Sequence, residues 1–113
     1  MNILEELNSL FATLHMPVET GEFSDKAPDK YCVLTPLSDR FDVYGDNLPA
    51  VDIQEVRISF FAKGNYLNTQ KQLVRSLLQH EFTITGRVFV GFEKDTNYYH
   101  MAIDVAKHYE MEV

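Results

Sequence analysis

Residues 53–63 alternate between apolar and polar side chains, with Val56, Ile58 and Phe60 on one parity and Glu55, Arg57 and Ser59 on the other. A two-residue period puts the apolar set on one face of a strand. Such a strand needs a cover for that face and neighbours for its backbone. Residues 98–110 repeat the pattern, with Tyr99, Met101, Ile103 and Val105 set against His100, Ala102, Asp104 and Ala106. Two strands of this kind commit the chain to a sheet with a buried side.

The cover comes from two stretches with helical spacing. Ile3, Leu4, Leu7, Leu10, Phe11 and Leu14 recur at steps of three and four, which predicts an amphipathic helix over 2–14. Asn2 is placed to cap it, Glu5 resembles the acidic arm of a capping box, and Pro17 ends it. Over 66–80 the stripe is Leu67, Gln70, Leu73, Val74, Leu77 and Leu78, with Lys71, Arg75 and Gln79 projecting elsewhere.

Further strand material surrounds these elements. Tyr31, Val33, Thr35 and Leu37 alternate with Cys32, Leu34 and Pro36; a turn is expected at 38–40, a strand at 41–44, and another turn at Gly45, Asp46 and Asn47. Residues 82–85 and 88–92 read as strand about Gly86, where a bulge or tight bend is expected. The order helix, strands, helix, strands predicts an α+β fold: a mainly antiparallel sheet of at least four strands, with two helices packed on one face. Val56, Ile58, Phe60, Leu73, Val74, Leu77, Ile103 and Val105 are the expected core.

At 113 residues the chain has material for a single domain, 1–113. Residues 16–30 are the exception to its regular patterning. They hold Glu19, Glu22, Asp25 and Asp29, with Phe23 as the large apolar residue, and predict a long acidic loop with a short strand near 22–24. The whole chain is acidic, with 10 Lys and Arg against 17 Asp and Glu for a net charge of −7. A nucleic-acid binder needs a basic patch to neutralise phosphates, so specific binding of DNA or RNA is not expected. Cys32 is the single cysteine, which excludes an internal disulfide. No apolar run reaches the ~18–20 residues of a membrane span, and no basic region followed by an apolar stretch opens the chain. We therefore expect a soluble chain without a leader or membrane partner.

Three residue sets invite a chemical reading. His100, Asp104 and His108 would share a face within about 6 Å of one another on a helix, as a metal site requires. On a strand, neighbours in this set stand about 13 Å apart and one ion cannot bridge them. The strand pattern of 98–110 favours the second case. Asp39, Asp42 and Asp46 lack the spacing of a calcium loop and read as turn residues of a hairpin. Cys32 lies within an apolar strand, where a thiol behaves as a small buried hydrophobe. Nucleotide-binding glycine loops, serine-hydrolase elbows and zinc-protease helices have no match in the sequence. No catalytic residue, metal or cofactor is expected. Two other readings remain: a metal-dependent enzyme built on His100, Asp104 and His108, and a small acidic adaptor or inhibitor whose loop mimics nucleic acid.

The stretch 31–66, beginning YCVLTPLSDRFDVYGDN and ending ISFFAKGNY, resembles the small tail-completion proteins of long-tailed phages and prophages of Gram-positive bacteria. The helix LNTQKQLVRSLL, the segment FTITGRVFVGFEKDTNYYH and the closing MAIDVAKHYEME resemble the same group, so the likeness runs from about Tyr31 to the end. These tail terminators, or head–tail joining proteins, set helices against an antiparallel sheet and assemble as hexameric rings at the head-proximal end of the tail tube. The resemblance implies a structural role in virion assembly without catalysis. It places the protein in the host cytoplasm during assembly and then in the virion tail, with itself, the tube protein and the head–tail connector as partners. The group has no short functional motif to transfer. Arg40, Asp42, Tyr44 and Asp46, in a turn-rich stretch not needed for the core, are the candidate subunit-interface residues.

Overall fold

The computed structural model describes residues 2–21, 28–45 and 48–110, with side chains omitted over 40–50. The expected short strand at 22–24 and the turn residues Asp46 and Asn47 lie outside the described residues. The elements run α1 (Ile3–Thr13), β1 (Val18–Thr20), β2 (Lys30–Gly45), β3 (Leu48–Ala62), α2 (Tyr66–Gln79), β4 (Thr83–Glu93) and β5 (Tyr98–Glu110). Their five strands form one sheet in the order β1-β2-β3-β5-β4, in which β1 lies parallel to β2 and every other pair is antiparallel. The fold is thus α+β with a mixed, mostly antiparallel sheet.

α1 starts where the capping chemistry puts it. Asn2 Oδ1 accepts from the Glu5 amide at 2.9 Å, and Asn2 Nδ2 donates to Glu5 Oε1 at 3.3 Å. The Ile3 amide, a free donor of the first turn, donates to Gln54 Oε1 at 2.9 Å, which docks the helix start on β3. The helix closes through His15, whose φ of 56° lies in the left-handed region, and the Met16 amide returns to the Phe11 carbonyl. Asn65 Oδ1 caps α2 by accepting from the Asn68 amide at 3.4 Å, and Glu81, at φ 67°, ends it in the same left-handed way.

The core follows the two strand patterns. Antiparallel register sets Val56 against Val105, Ile58 against Ile103 and Phe60 against Met101, while Cys32 and Leu34 face Phe60 and Ile58 from β2. These residues join Ile3, Leu7, Leu10 and Phe11 of α1 and Leu73 and Leu77 of α2 in one apolar cluster. Of the expected core, Val74 is only partly buried. α2 turns Thr69, Leu73 and Leu77 inward, and leaves Leu67 and Leu78 exposed. The inward stripe therefore follows one four-residue row, and it is narrower than the sequence pattern implied.

Two further expectations need correction. The turn at 38–40 does not form: Ser38, Asp39 and Arg40 continue β2, paired with Glu55, Gln54 and Ile53. The ladder passes through their turn chemistry, and one extra residue is taken up as a bulge between Pro36 and Ser38. Within the acidic loop, Val18–Thr20 pairs with Cys32–Leu34 and so extends the sheet. β4 carries the irregularity expected at Gly86, a register shift between Ile84 and Gly86, and a second between Phe89 and Gly91.

The molecule is elongated, measuring 55 × 26 × 25 Å with a radius of gyration of 15.4 Å. A compact domain of this length has about 13 Å. The length of β2 and β3, 16 and 15 residues, accounts for the difference, since strands rise about 3.3 Å per residue.

Candidate assembly surface

His100, Asp104 and His108 fall on β5, a strand, which sets neighbours about 13 Å apart. Each has its own surroundings. His100 stacks on Phe61 with ring centroids 4.2 Å apart, and its Nε2 is buried without a hydrogen-bond partner. Burial holds its pKa below the ordinary histidine value, partly opposed by the charge of Glu93. Asp104 is held by Arg57 across the ladder, with Nε on Oδ1 at 2.9 Å and a second bond to Oδ2 at 3.1 Å. His108 is exposed opposite Ile53. Among the described residues no three His, Cys, Asp or Glu side chains gather as a metal site.

Cys32 is fully buried, and desolvation pushes its thiol up to about 12, so it stays protonated and inert in the folded chain. Asp39 is exposed on β2. Arg40, Asp42 and Tyr44 occupy the outer part of the same strand, with backbone pairs to Ile53, Val51 and Pro49, and their side chains lie outside the description. Asp46 lies outside the described residues. A cavity of about 300 Å³ between α1 and β5 includes Glu6 and Lys107, but these two already satisfy each other at 2.7 Å.

The structure draws attention instead to β4. This edge strand pairs with β5 on one side, and no described strand pairs with it on the other. Val88 and Phe89 are 59% and 50% exposed, and Val90 and Phe92 are exposed as well. Four of the seven exposed large hydrophobic residues among those described therefore sit on one strand. The bulges turn successive apolar residues to both sides of it. On one side Phe92 and Tyr66 flank Tyr99, each 4.7 Å away between centroids, and Phe89 lies 5.9 Å from Tyr66. On the other side of the sheet, Tyr31 stacks on Phe61 at 4.7 Å and meets Tyr98 edge-on at 5.4 Å. The sequence did carry a signal for β4. Val88, Phe89, Val90 and Phe92 stand with no charge among them, the composition of a strand covered on both faces.

No protein-family model matches the chain, and no curated protein matches it significantly.

Proposed function

We propose that this chain is a structural tail-completion protein of a long-tailed phage or prophage, a terminator that caps the tail tube and joins it to the head. The observation that carries the reading is β4. Natural sheets guard an open edge with lysine, proline, bulges or a covering segment; β4 has two bulges but neither lysine nor proline, and it exposes four large apolar side chains. A surface of that kind belongs against protein. An assembly role accounts for it.

Two features support the finer reading. The buried residues of both helices share one cluster with alternate residues of β2, β3 and β5, consistent with helices on a single face. The net charge of −7 repels phosphate, which suits a ring through which a genome passes. In this reading the protein closes into a ring, expected to be hexameric, that matches the tube, stops its polymerisation and presents a surface to the connector.

The test is polymerisation of tube protein with and without this chain, read by electron microscopy. Capped tubes of shortened, narrowed length distribution are expected. Tubes that grow equally long and carry no terminal ring would refute the proposal.

A further inference from the structure

α2 carries two rows at helix-packing spacing and uses one of them for its own core. Thr69, Leu73 and Leu77 are the buried row. Residues 67, 71, 74 and 78 form another, at steps of four, three and four, the spacing with which one helix packs along a second. Leu67 and Leu78, at its two ends, are exposed. A groove of about 460 Å³ follows this row and reaches Arg87 of β4, with Leu67, Val74 and Leu78 as its apolar floor and Lys71, Arg75 and Arg87 around it. Arg87 pairs with Ile103, which lies in the cluster shared with the helices, so it rises on the helix side of the sheet.

The charge around that floor is one-signed. Three of the chain's ten basic residues meet there, in a protein with net charge −7. Among the described residues the ion pairs are Arg57–Asp104, Lys63–Asp29 and Lys107–Glu6, none of which engages them. Tyr66–Gln79 holds no carboxylate at all. Lys71 and Arg75 also stand four residues apart on one helix, a like-charge spacing that destabilises the helix unless an anion relieves it.

We propose that this groove takes an acidic amphipathic helix of another protein, with aliphatic side chains on Leu67, Val74 and Leu78 and flanking carboxylates against Lys71, Arg75 and Arg87. Leu67 to Leu78 spans three turns, about 16 Å, so the occupant is a helix of at least that length. Charge selects against the alternatives. A second copy has no described helix to offer: α1 has its apolar residues in the core, and α2 laid on α2 would set Lys71 and Arg75 against their own copies. A phosphate backbone would meet an aliphatic floor within a chain of net charge −7. The inference goes beyond the terminator reading and holds or fails independently of tube capping.

The test titrates the full chain with a stapled helical peptide of about four turns, its leucines repeating at steps of three and four and its flanks glutamate. Two control peptides replace the glutamates by lysine or the leucines by serine. The variants K71E/R75E and L67S/L78S change exposed positions, with circular dichroism to confirm folding. Calorimetry should show the acidic peptide binding the native chain, more weakly as salt rises. K71E/R75E should weaken it about tenfold or more and take the lysine peptide instead, and L67S/L78S should weaken it about tenfold. No binding to the native chain, equal binding to K71E/R75E, or equal binding of the serine peptide overturns the proposal. Sedimentation and flotation with phosphatidylserine vesicles report the other occupants. An oligomer, or vesicle binding, that the native chain shows and K71E/R75E loses would give the groove to a second copy or to a membrane, and either overturns the proposal.

Discussion

Lys107 is the point at which three elements are tied, and Lys107→Met tests what that tie is worth. Its ammonium donates to Glu6 Oε2 of α1 at 2.7 Å and to the His80 carbonyl at the end of α2 at 2.9 Å, and it sits 4.5 Å from the Phe82 ring centroid. The side chains of Lys107 and Glu6 are 21% and 23% exposed, so solvent screens the pair less than an ordinary surface pair. Hydrogen bonds to a charged group contribute about 1.5–3 kcal/mol, and the cation over the ring adds about 0.5–1 kcal/mol. Both arise from one charge and do not add in full. Methionine keeps the apolar stem packed and removes the cost of desolvating the ammonium. The net loss should be about 2 kcal/mol, which for a chain of this length lowers the melting temperature by about 8 °C. Urea unfolding of the native chain, Lys107→Met, Glu6→Gln and the double variant measures it, with a coupling between the two sites of about 1 kcal/mol. A Lys107→Met cost below about 0.5 kcal/mol, or no coupling, would mean that the tie contributes nothing to holding α1 against the end of α2.

Leu77 is fully buried in the shared cluster, so Leu77→Ala should cost about 2–5 kcal/mol in chemical denaturation; a change under about 1 kcal/mol would mean that α2 presents another face to the sheet. Burial holds His100 below its ordinary pKa, so the unfolded chain takes up a proton first as pH falls. Stability should therefore be unaffected above the unfolded value of about 6.5 and should fall as pH drops from there through the folded pKa. Urea midpoints across that window should flatten in His100→Gln, and an unchanged slope in the variant would remove His100 from the account.

The parts of this fold that were legible in the sequence are those whose periodicity matches their burial. β3 and β5 are central strands, and Val56, Ile58, Phe60, Ile103 and Val105 all face the core as their alternation requires. Elsewhere pairing overrode local chemistry. Ser38, Asp39 and Arg40 favour a turn, but β3 offers a continuous partner and the bulge after Pro36 preserves the register. Val18–Thr20 is too short and too polar to announce a strand, and forms one because β2 lies beside it. Leu67 and Leu78 look like core by composition and prove to be surface. The strand at β4 was legible, but its exposure and that of Leu67 and Leu78 were not: hydrophobic spacing marks which residues share a face, without recording which face the rest of the chain covers.

The two flanks of the sheet differ in how open their edges are to further pairing. β1 pairs only with Cys32–Leu34, leaving the rest of β2 without a described outer neighbour. Beyond Leu34 that stretch includes Pro36, which has no amide to donate, passes through a bulge, and carries the exposed Asp39; these are devices that keep an edge from pairing. β4 has two bulges of its own, which interrupt its backbone ladder and turn apolar side chains to both faces. Continuous strand addition from β4 to β2 would have to cross all three irregularities.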